Sequence, residues 1–236
     1  MSSALEQLLL PAECLVCRGL LADARADDLV CPVCRSRMRA VRPPWCARCG
    51  QPEPHFGPCR LCREWPGALQ SARSAVWLEA GARTAAHALK YRGLPRIAAD
   101  LAALMVRVIA APDAAARLIP IPLGGARLRR RGYNQSLALA RALAAHWRLP
   151  VLAQLLVRVR DTATQTALTP GARQANVAGA FAVHSGVLRG RGPLVLVDDV
   201  FTTGSTLAEA ARALEASGFT TISAVTFGRA SIPDFS

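Results

Sequence analysis

The chain has 236 residues, 52% hydrophobic and 19% charged, which suits one α/β domain with a small second module and is too apolar for a disordered chain. Its formal net charge is +13, and every basic residue except Lys90 is arginine. Arginine favours bidentate contacts with phosphate and carboxylate, although a GC-rich genome produces the same bias.

Near the N-terminus, Leu8-Leu9-Leu10 is a short apolar run with no basic segment before it, so it does not read as an export signal. The most apolar later stretch, residues 101–121, is broken by Arg107, Asp113 and Arg117. A spanning helix needs about 20 uninterrupted apolar residues, so a soluble cytoplasmic protein without membrane insertion is expected. Aromatics are 5% of the chain, so any large core must be built from Ala, Leu and Val.

All eight cysteines fall between residues 14 and 62, in four Cys-x-x-Cys pairs: Cys14/Cys17, Cys31/Cys34, Cys46/Cys49 and Cys59/Cys62. Each knuckle turns two thiolates toward one point, and two knuckles complete a tetrahedral all-sulfur site suited to zinc. Sequential pairing is simplest, with Cys14, Cys17, Cys31 and Cys34 in one site and Cys46, Cys49, Cys59 and Cys62 in the other. The internal gaps of 13 and 9 residues are shorter than usual and leave a crossed pairing open. Disulfides need an oxidising compartment, and a redox motif is normally one such pair in a βαβ setting. Two structural Zn2+ sites are therefore expected, with His55 a surface residue rather than a ligand. Residues 1–66 hold few large apolar groups and many prolines, too little to offset chain entropy. Zinc supplies roughly 10–16 kcal/mol in such modules. Four thiolates and one zinc carry a net −2, so two sites lower the formal +13 to +9.

From about residue 72 the pattern becomes α/β. Residues 74–78 predict a strand, and residues 84–91 and 97–110 predict Ala/Leu-rich helices separated by Gly93 and Pro95. Residues 118–122 predict a strand followed by a Gly-Gly turn. Residues 134–147 have helical spacing, and 151–157 fit either strand or helix. Residues 160–178 are polar and read as a long loop. Residues 181–183 and 194–197 predict strands, 205–217 a helix ended by Gly218, and 220–227 a final strand. Such alternation predicts a mainly parallel sheet flanked by helices.

The richest chemistry lies between Leu194 and Thr206. An apolar strand runs into Asp198 and Asp199, and a turn of Thr202, Thr203 and Gly204 leads to Ser205, Thr206 and a helix. In open α/β sheets ligands bind at the carboxyl ends of strands. A helix N-terminus offers free N–H groups and partial positive charge to a phosphate, while the carboxylates suit sugar hydroxyls or magnesium. A Walker B strand would need a Gly-x-x-x-x-Gly-Lys-Ser/Thr loop, which is missing. A phospho-receiver domain would open with its acids, whereas only 37 residues follow Asp199. Plain N-capping needs only one such polar residue.

Val195-Leu196-Val197-Asp198-Asp199-Val200-Phe201-Thr202-Thr203-Gly204-Ser205-Thr206 resembles the phosphoribosyl pyrophosphate (PRPP) signature of type I phosphoribosyltransferases. The resemblance implies Asp198 and Asp199 on the ribose hydroxyls and Thr202, Thr203, Gly204, Ser205 and Thr206 around the 5′-phosphate. Ile119-Pro120-Ile121-Pro122-Leu123, Arg131-Gly132-Tyr133-Asn134-Gln135-Ser136, Gln165, Arg173, Asn176-Val177 and Leu89-Lys90-Tyr91-Arg92-Gly93 resemble the ComF competence-protein family. That likeness spans roughly residues 10–230. It implies a double zinc ribbon over residues 1–66 and a phosphoribosyltransferase-like domain over residues 72–236, with a role in DNA uptake during natural transformation.

A type I transferase must stabilise pyrophosphate as it leaves a cationic ribose. Candidates are the turn over residues 122–132, with Gly124, Gly125, Arg127, Arg129, Arg130 and Arg131, together with Lys90 and Arg92. A solvated basic face is the other reading of Arg127–Arg131. The loop over residues 160–178 would be a lid excluding water, from which Arg158, Arg160, Gln165 and Arg173 would reach phosphates. His87, His146 and His184 show no spacing that suggests a site. Three functions follow: phosphoribosyl transfer from PRPP with Mg2+; non-catalytic binding in which the loop holds a nucleotide, PRPP or a DNA-end phosphate while the zinc module and basic surface engage single-stranded DNA or a competence helicase; or a zinc-ribbon scaffold with a vestigial domain. Scattered aromatics give stacking recognition of single strands little support.

Overall fold

The computed structural model describes residues 13–21, 28–52, 59–161, 177–184 and 192–231. In chain order they form α1 (Pro32–Ser36), β1 (Leu69–Trp77), α2 (Ala80–Tyr91), α3 (Ile97–Val108), β2 (Arg117–Pro120), α4 (Gly125–Arg131), α5 (Gln135–Trp147), β3 (Leu156–Arg158), β4 (Phe181–Val183), β5 (Leu194–Phe201), α6 (Ser205–Ala216) and β6 (Ile222–Arg229). Four strands make one parallel sheet in the order β1-β6-β5-β2, and β3 and β4 pair antiparallel beside it. Parallel neighbours need crossover connections that cover the sheet faces. The expected parallel α/β architecture is the one observed.

β5 shows why both faces are covered. Leu194, Val195, Leu196 and Val197 are all buried, and successive side chains of a strand leave opposite faces. Val195 and Val197 enter one core with Leu101, Met105, Leu139 and Phe227, beneath α2, α3 and α5. Leu194 and Leu196 enter the other with Leu207, Leu214, Phe219 and Ile222, beneath α6. Alanines face the sheet from α2 (Ala82, Ala85, Ala86, Ala88) and α6 (Ala208, Ala210, Ala211), so few aromatics are needed.

The cysteine segment packs on this sheet. Cys14 and Cys34 belong to the first core, and Cys49, Cys62 and Trp65 to the second. Its backbone also serves the outer side of β1: Ala72 N–H donates to Arg48 O (2.8 Å), Val41 N–H to Ala75 O (3.0 Å) and Trp77 N–H to Arg39 O (2.8 Å). At the opposite side, Val151 makes a parallel bridge to Leu118 of β2.

Several boundaries differ from the sequence reading. β1 begins at Leu69, a start that Gln70, Ser71 and Arg73 mask in the sequence; Ser74 is buried with its hydroxyl 2.7 Å from that of Thr226. α2 starts at Ala80, and Glu79 at its N-cap makes no side-chain cap bond that would mark the start. The expected turn over residues 122–132 contains α4, whose last turn carries Arg129, Arg130 and Arg131, favourable at the negative end of a helix. Residues 151–157 divide into the bridge at Val151, a turn and the start of β3. Most of the expected lid, with Gln165, Arg173 and Asn176, lies outside the described residues, as does His55. His87, His146 and His184 are exposed. Among the described residues no helix is long and apolar enough to cross a membrane.

Candidate functional site

The cysteines gather sequentially, Cys14, Cys17, Cys31 and Cys34 in one cluster and Cys46, Cys49, Cys59 and Cys62 in the other, with the four sulfurs of each within 4.8 Å of one another. Separations of 3.9 Å (Cys17–Cys31), 3.7 Å (Cys46–Cys62) and 3.5 Å (Cys49–Cys59) match the edge of about 3.8 Å in a tetrahedron with zinc–sulfur bonds of about 2.3 Å. All eight thiols are unbridged. The crossed pairing is thereby removed, and the clusters fit two structural zinc ions.

Local backbone prepares the sulfurs. The N–H groups of Val16 and Cys31 donate to Cys14 Sγ at 3.4 and 3.3 Å, and Cys34 N–H donates to Cys31 Sγ at 3.3 Å. Burial raises the Cys14 and Cys46 thiols, but backbone N–H bonds outweigh it and bring them to about 6 and about 7. Burial and the neighbouring cysteines push Cys34 and Cys49 far up and Cys62 up to about 12. Four crowded thiols of this kind ionise together only with a divalent cation among them.

The clusters have different neighbours. Beside the first, Arg35 donates to Asp100 Oδ1 (2.8 Å) and Asp28 Oδ2 (3.0 Å), and Leu29 N–H donates to Asp100 Oδ2 (2.8 Å). That ties the cluster to α3. Beside the second, buried Arg229 donates to Cys49 O (2.9 Å) and Gln51 Oε1 (2.8 Å) and lies 4.3 Å from the centre of the Phe201 ring. Arg48 donates to the carbonyls of Leu69, Cys62, Trp65 and Pro66. Trp65 in turn packs against Phe201, ring centres 6.1 Å apart.

Phe201 and Trp65 back the turn that the sequence singled out. β5 ends in Asp198–Phe201, residues 202–204 turn, and α6 begins at Ser205. Gly204 has φ +77°, and a Cβ there would lie 2.7 Å from Trp65 Cζ2 and 3.0 Å from Phe201 Cζ. Glycine is thus required both by backbone geometry and by space. Thr203 Oγ1 and Ser205 Oγ are 2.8 Å apart, and Ala208 N–H closes the first helical turn on Gly204 O (2.8 Å). The first turn of α6 carries no acidic residue, which keeps its N-terminus attractive to anions.

A cavity of about 310 Å³ opens over this turn, lined by Lys90, Asp198, Asp199, Thr202 and Gly204–Thr206. Arg127, Arg130, Arg131 and Arg158 line it as well. Lys90 Nζ lies 2.6 Å from Asp199 Oδ2, a buried oxygen on which no hydrogen-bond donor is aligned. Burial lowers the Lys90 ammonium, but the Asp199 carboxylate wins and holds it above the ordinary lysine value. Asp198 Oδ1 accepts from Ser136 Oγ (2.8 Å) and Asp199 N–H (2.9 Å). Burial, then the neighbouring Asp199 charge, push the Asp198 carboxyl up to about 7. The cavity therefore gathers carboxylates, cations and hydroxyls into one lining, with Lys90 paired to Asp199.

Lys90, Arg131, Asp198, Asp199, Thr202, Gly204, Ser205 and Thr206 are brought together. Thr203 shapes the turn, and Arg92, exposed just past α2, is not among the cavity-lining residues. The sequence reading gave no role to Ser136, Trp65 or Arg229. An arginine closing the apolar run of β6, 1% exposed, was the available signal for Arg229. The partners of Ser136 and Trp65 are 62 and well over 100 residues away in sequence and leave no local signal.

Comparison with known proteins bears on the cysteine clusters and on the chain as a whole. A family model described as a double zinc ribbon domain matches residues 5–63. The DNA utilization protein YhgH of Salmonella typhimurium is 35% identical over 226 residues, covering 91% of this chain and 96% of that protein. Competence protein F of Haemophilus influenzae is 30% identical over 219 residues (87% and 91%), and competence protein ComFC of Bacillus subtilis 28% over 200 residues (80% and 79%).

Proposed function

The chain belongs to the ComF family of competence and DNA-utilization proteins, and from that premise we propose that it binds PRPP, or a related phosphorylated ribose or nucleotide, with Mg2+ as part of DNA uptake. The observation that carries the ligand is the one cavity lined by Asp198, Asp199, Thr202 and Gly204–Thr206 at the carboxyl end of β5. The 5′-phosphate takes the turn hydroxyls and the N–H groups of α6. The ribose hydroxyls donate to the carboxylates. Arg127, Arg130, Arg131 and Arg158 take the pyrophosphate. Fixed cations at the leaving group and carboxylates at the sugar match the charge separation of phosphoribosyl transfer. Lys90 already occupies Asp199 Oδ2, which favours magnesium carried on the ligand's phosphates over magnesium seated between the two acids.

The relatives' names support the DNA-uptake setting, and residues 1–66 and 72–236 are the corresponding zinc-ribbon and phosphoribosyltransferase-like parts. A second reading, binding of single-stranded DNA or a competence helicase without turnover, draws on the exposed Arg129 and Arg130 of α4, of which Arg130 also lines the cavity. Titration calorimetry decides. Wild type should bind PRPP with Mg2+, and Asp198→Asn/Asp199→Asn should not; equal binding by both removes the site. DNA affinity that falls steeply with salt while PRPP is ignored would favour the second reading.

A further inference from the structure

Residues 131–136, Arg-Gly-Tyr-Asn-Gln-Ser, join α4 to α5, and their side chains bind the elements that frame the acidic pair. Arg131 donates to the side-chain oxygen of Gln135, which is buried at the cavity. The Tyr133 hydroxyl donates to the carbonyl of Leu89, the residue before Lys90. Asn134 Nδ2 donates to Ile121 O just past β2 (3.0 Å), and Asn134 Oδ1 caps α5 by accepting from Ser136 N–H (2.9 Å). Ser136, fully buried, donates to Asp198 Oδ1. The segment thus fixes α2, the end of β2 and β5 relative to one another, and its last hydroxyl ends on the carboxylate.

A serine in the interior of a helix commonly returns its hydroxyl to the carbonyl four residues earlier. Ser136, the second residue of α5, has no helical carbonyl four residues before it, and its hydroxyl goes to Asp198. Among the described residues, both hydrogen bonds that Asp198 accepts fall on Oδ1.

We propose that Ser136 is a positioning residue: it holds Asp198 Oδ1 so that Oδ2 is presented to a ribose hydroxyl, with Arg131, Tyr133, Asn134 and Gln135 as the frame that fixes it. This rests on the ribose-phosphate reading above. The charged groups facing Asp198 are Asp199 on its own strand, Lys90 from α2 and Arg158 from β3. Ser136 adds a neutral donor from α5. A hydrogen bond to the ionised form lowers a carboxyl pKa, so Ser136 keeps Asp198 an acceptor near neutrality against its burial and the Asp199 charge.

The test uses full-length, zinc-loaded protein. Carbon-13 NMR follows the Asp198 carboxyl without ligand, its signal identified by its loss in Asp198→Asn, and calorimetry follows Mg2+–PRPP binding. Ser136→Ala should raise the Asp198 midpoint by roughly one pH unit and weaken binding at pH 7 by about five- to tenfold. Ser136→Thr, which keeps the hydroxyl, should restore both. If Ser136→Ala fails to fold, Ser136→Cys, nearly isosteric with a weak donor, makes the same comparison. An unmoved midpoint in a folded variant, with wild type still binding PRPP, overturns the positioning role alone. A shifted midpoint in a protein that binds no PRPP overturns the ribose-phosphate reading while the Ser136–Asp198 link stands.

Discussion

The cluster of Cys14, Cys17, Cys31 and Cys34 and the cluster of Cys46, Cys49, Cys59 and Cys62 offer the same four sulfurs, yet they fasten to the sheet through different chemistry. The first is anchored by charge, with Arg35 held between Asp28 and Asp100. The second is anchored by backbone carbonyls and rings, with Arg229 reaching from Cys49 to Phe201 and Trp65 closing on Gly204. Only the second stands behind the turn that faces the cavity. Metal geometry is a local matter, but what losing the metal does depends on what packs next to it.

The hardest blow to that contrast is removal of one sulfur from each cluster. Cys34→Ser and Cys62→Ser should each lose one zinc by native mass spectrometry and several of the roughly 10–16 kcal/mol that zinc supplies. In the fraction that stays folded, Cys62→Ser should weaken Mg2+–PRPP binding about tenfold or more, a change of at least about 1.4 kcal/mol, and Cys34→Ser should change it little. Equal losses would erase the distinction.

Cutting the anchors comes next. Arg35→Met strands Asp100, whose side chain is 2% exposed, at an expected cost of about 2–4 kcal/mol in urea unfolding near pH 7.5. Burial already holds the Asp100 carboxyl above its ordinary value, despite Arg35. Protonation relieves a stranded acid, so the loss should shrink as pH falls toward 5. Arg229→Met leaves Cys49 O and Gln51 Oε1 without their donor and should cost about 1–3 kcal/mol, without that relief at low pH.

Gly204→Ala sharpens the comparison on the side of the turn. It forces both φ +77° and a collision with Trp65, and should cost about 2–3 kcal/mol. Gly218→Ala, at φ +93° with open space around it, should cost only about 1 kcal/mol. The smallest effect has the opposite sign. Asp198 titrates near 7 in the folded protein and near about 3.9 unfolded. Above pH 7 both states are ionised and the folded one bears the full cost of a buried charge. The full shift would be worth roughly 4 kcal/mol, but the amide is still buried and Lys90 loses a neighbouring charge, so Asp198→Asn should stabilise the ligand-free protein by about 1 kcal/mol at pH 8, a gain that fades by pH 4 in thermal melts.

The legible parts of this molecule were those with local signatures. Four Cys-x-x-Cys pairs announced the zinc clusters, and the Leu194–Thr206 run announced both the central strand and the turn beyond it, because burial on two faces leaves an unbroken apolar string. α4 was hidden by the glycines before it, since its helical character rests on arginines that also suit a loop. The start of β1 was hidden by Gln70, Ser71 and Arg73, polar residues that interrupt the apolar run before Ser74. The links among Ser136, Asp198, Trp65 and Gly204 exist only once the chain has folded.

The hydrogen bonds that Arg39, Val41 and Arg48 make with β1, and the bridge from Val151 to β2, carry one more consequence. An unclaimed strand margin invites another chain to extend the sheet, the usual opening step of uncontrolled association. Here the cysteine-rich segment guards one flank and the Pro150–Leu152 stretch the other. Stripping the zinc would unlatch the first guard, so a chelated sample should precipitate by strand addition at β1, well before its helices melt.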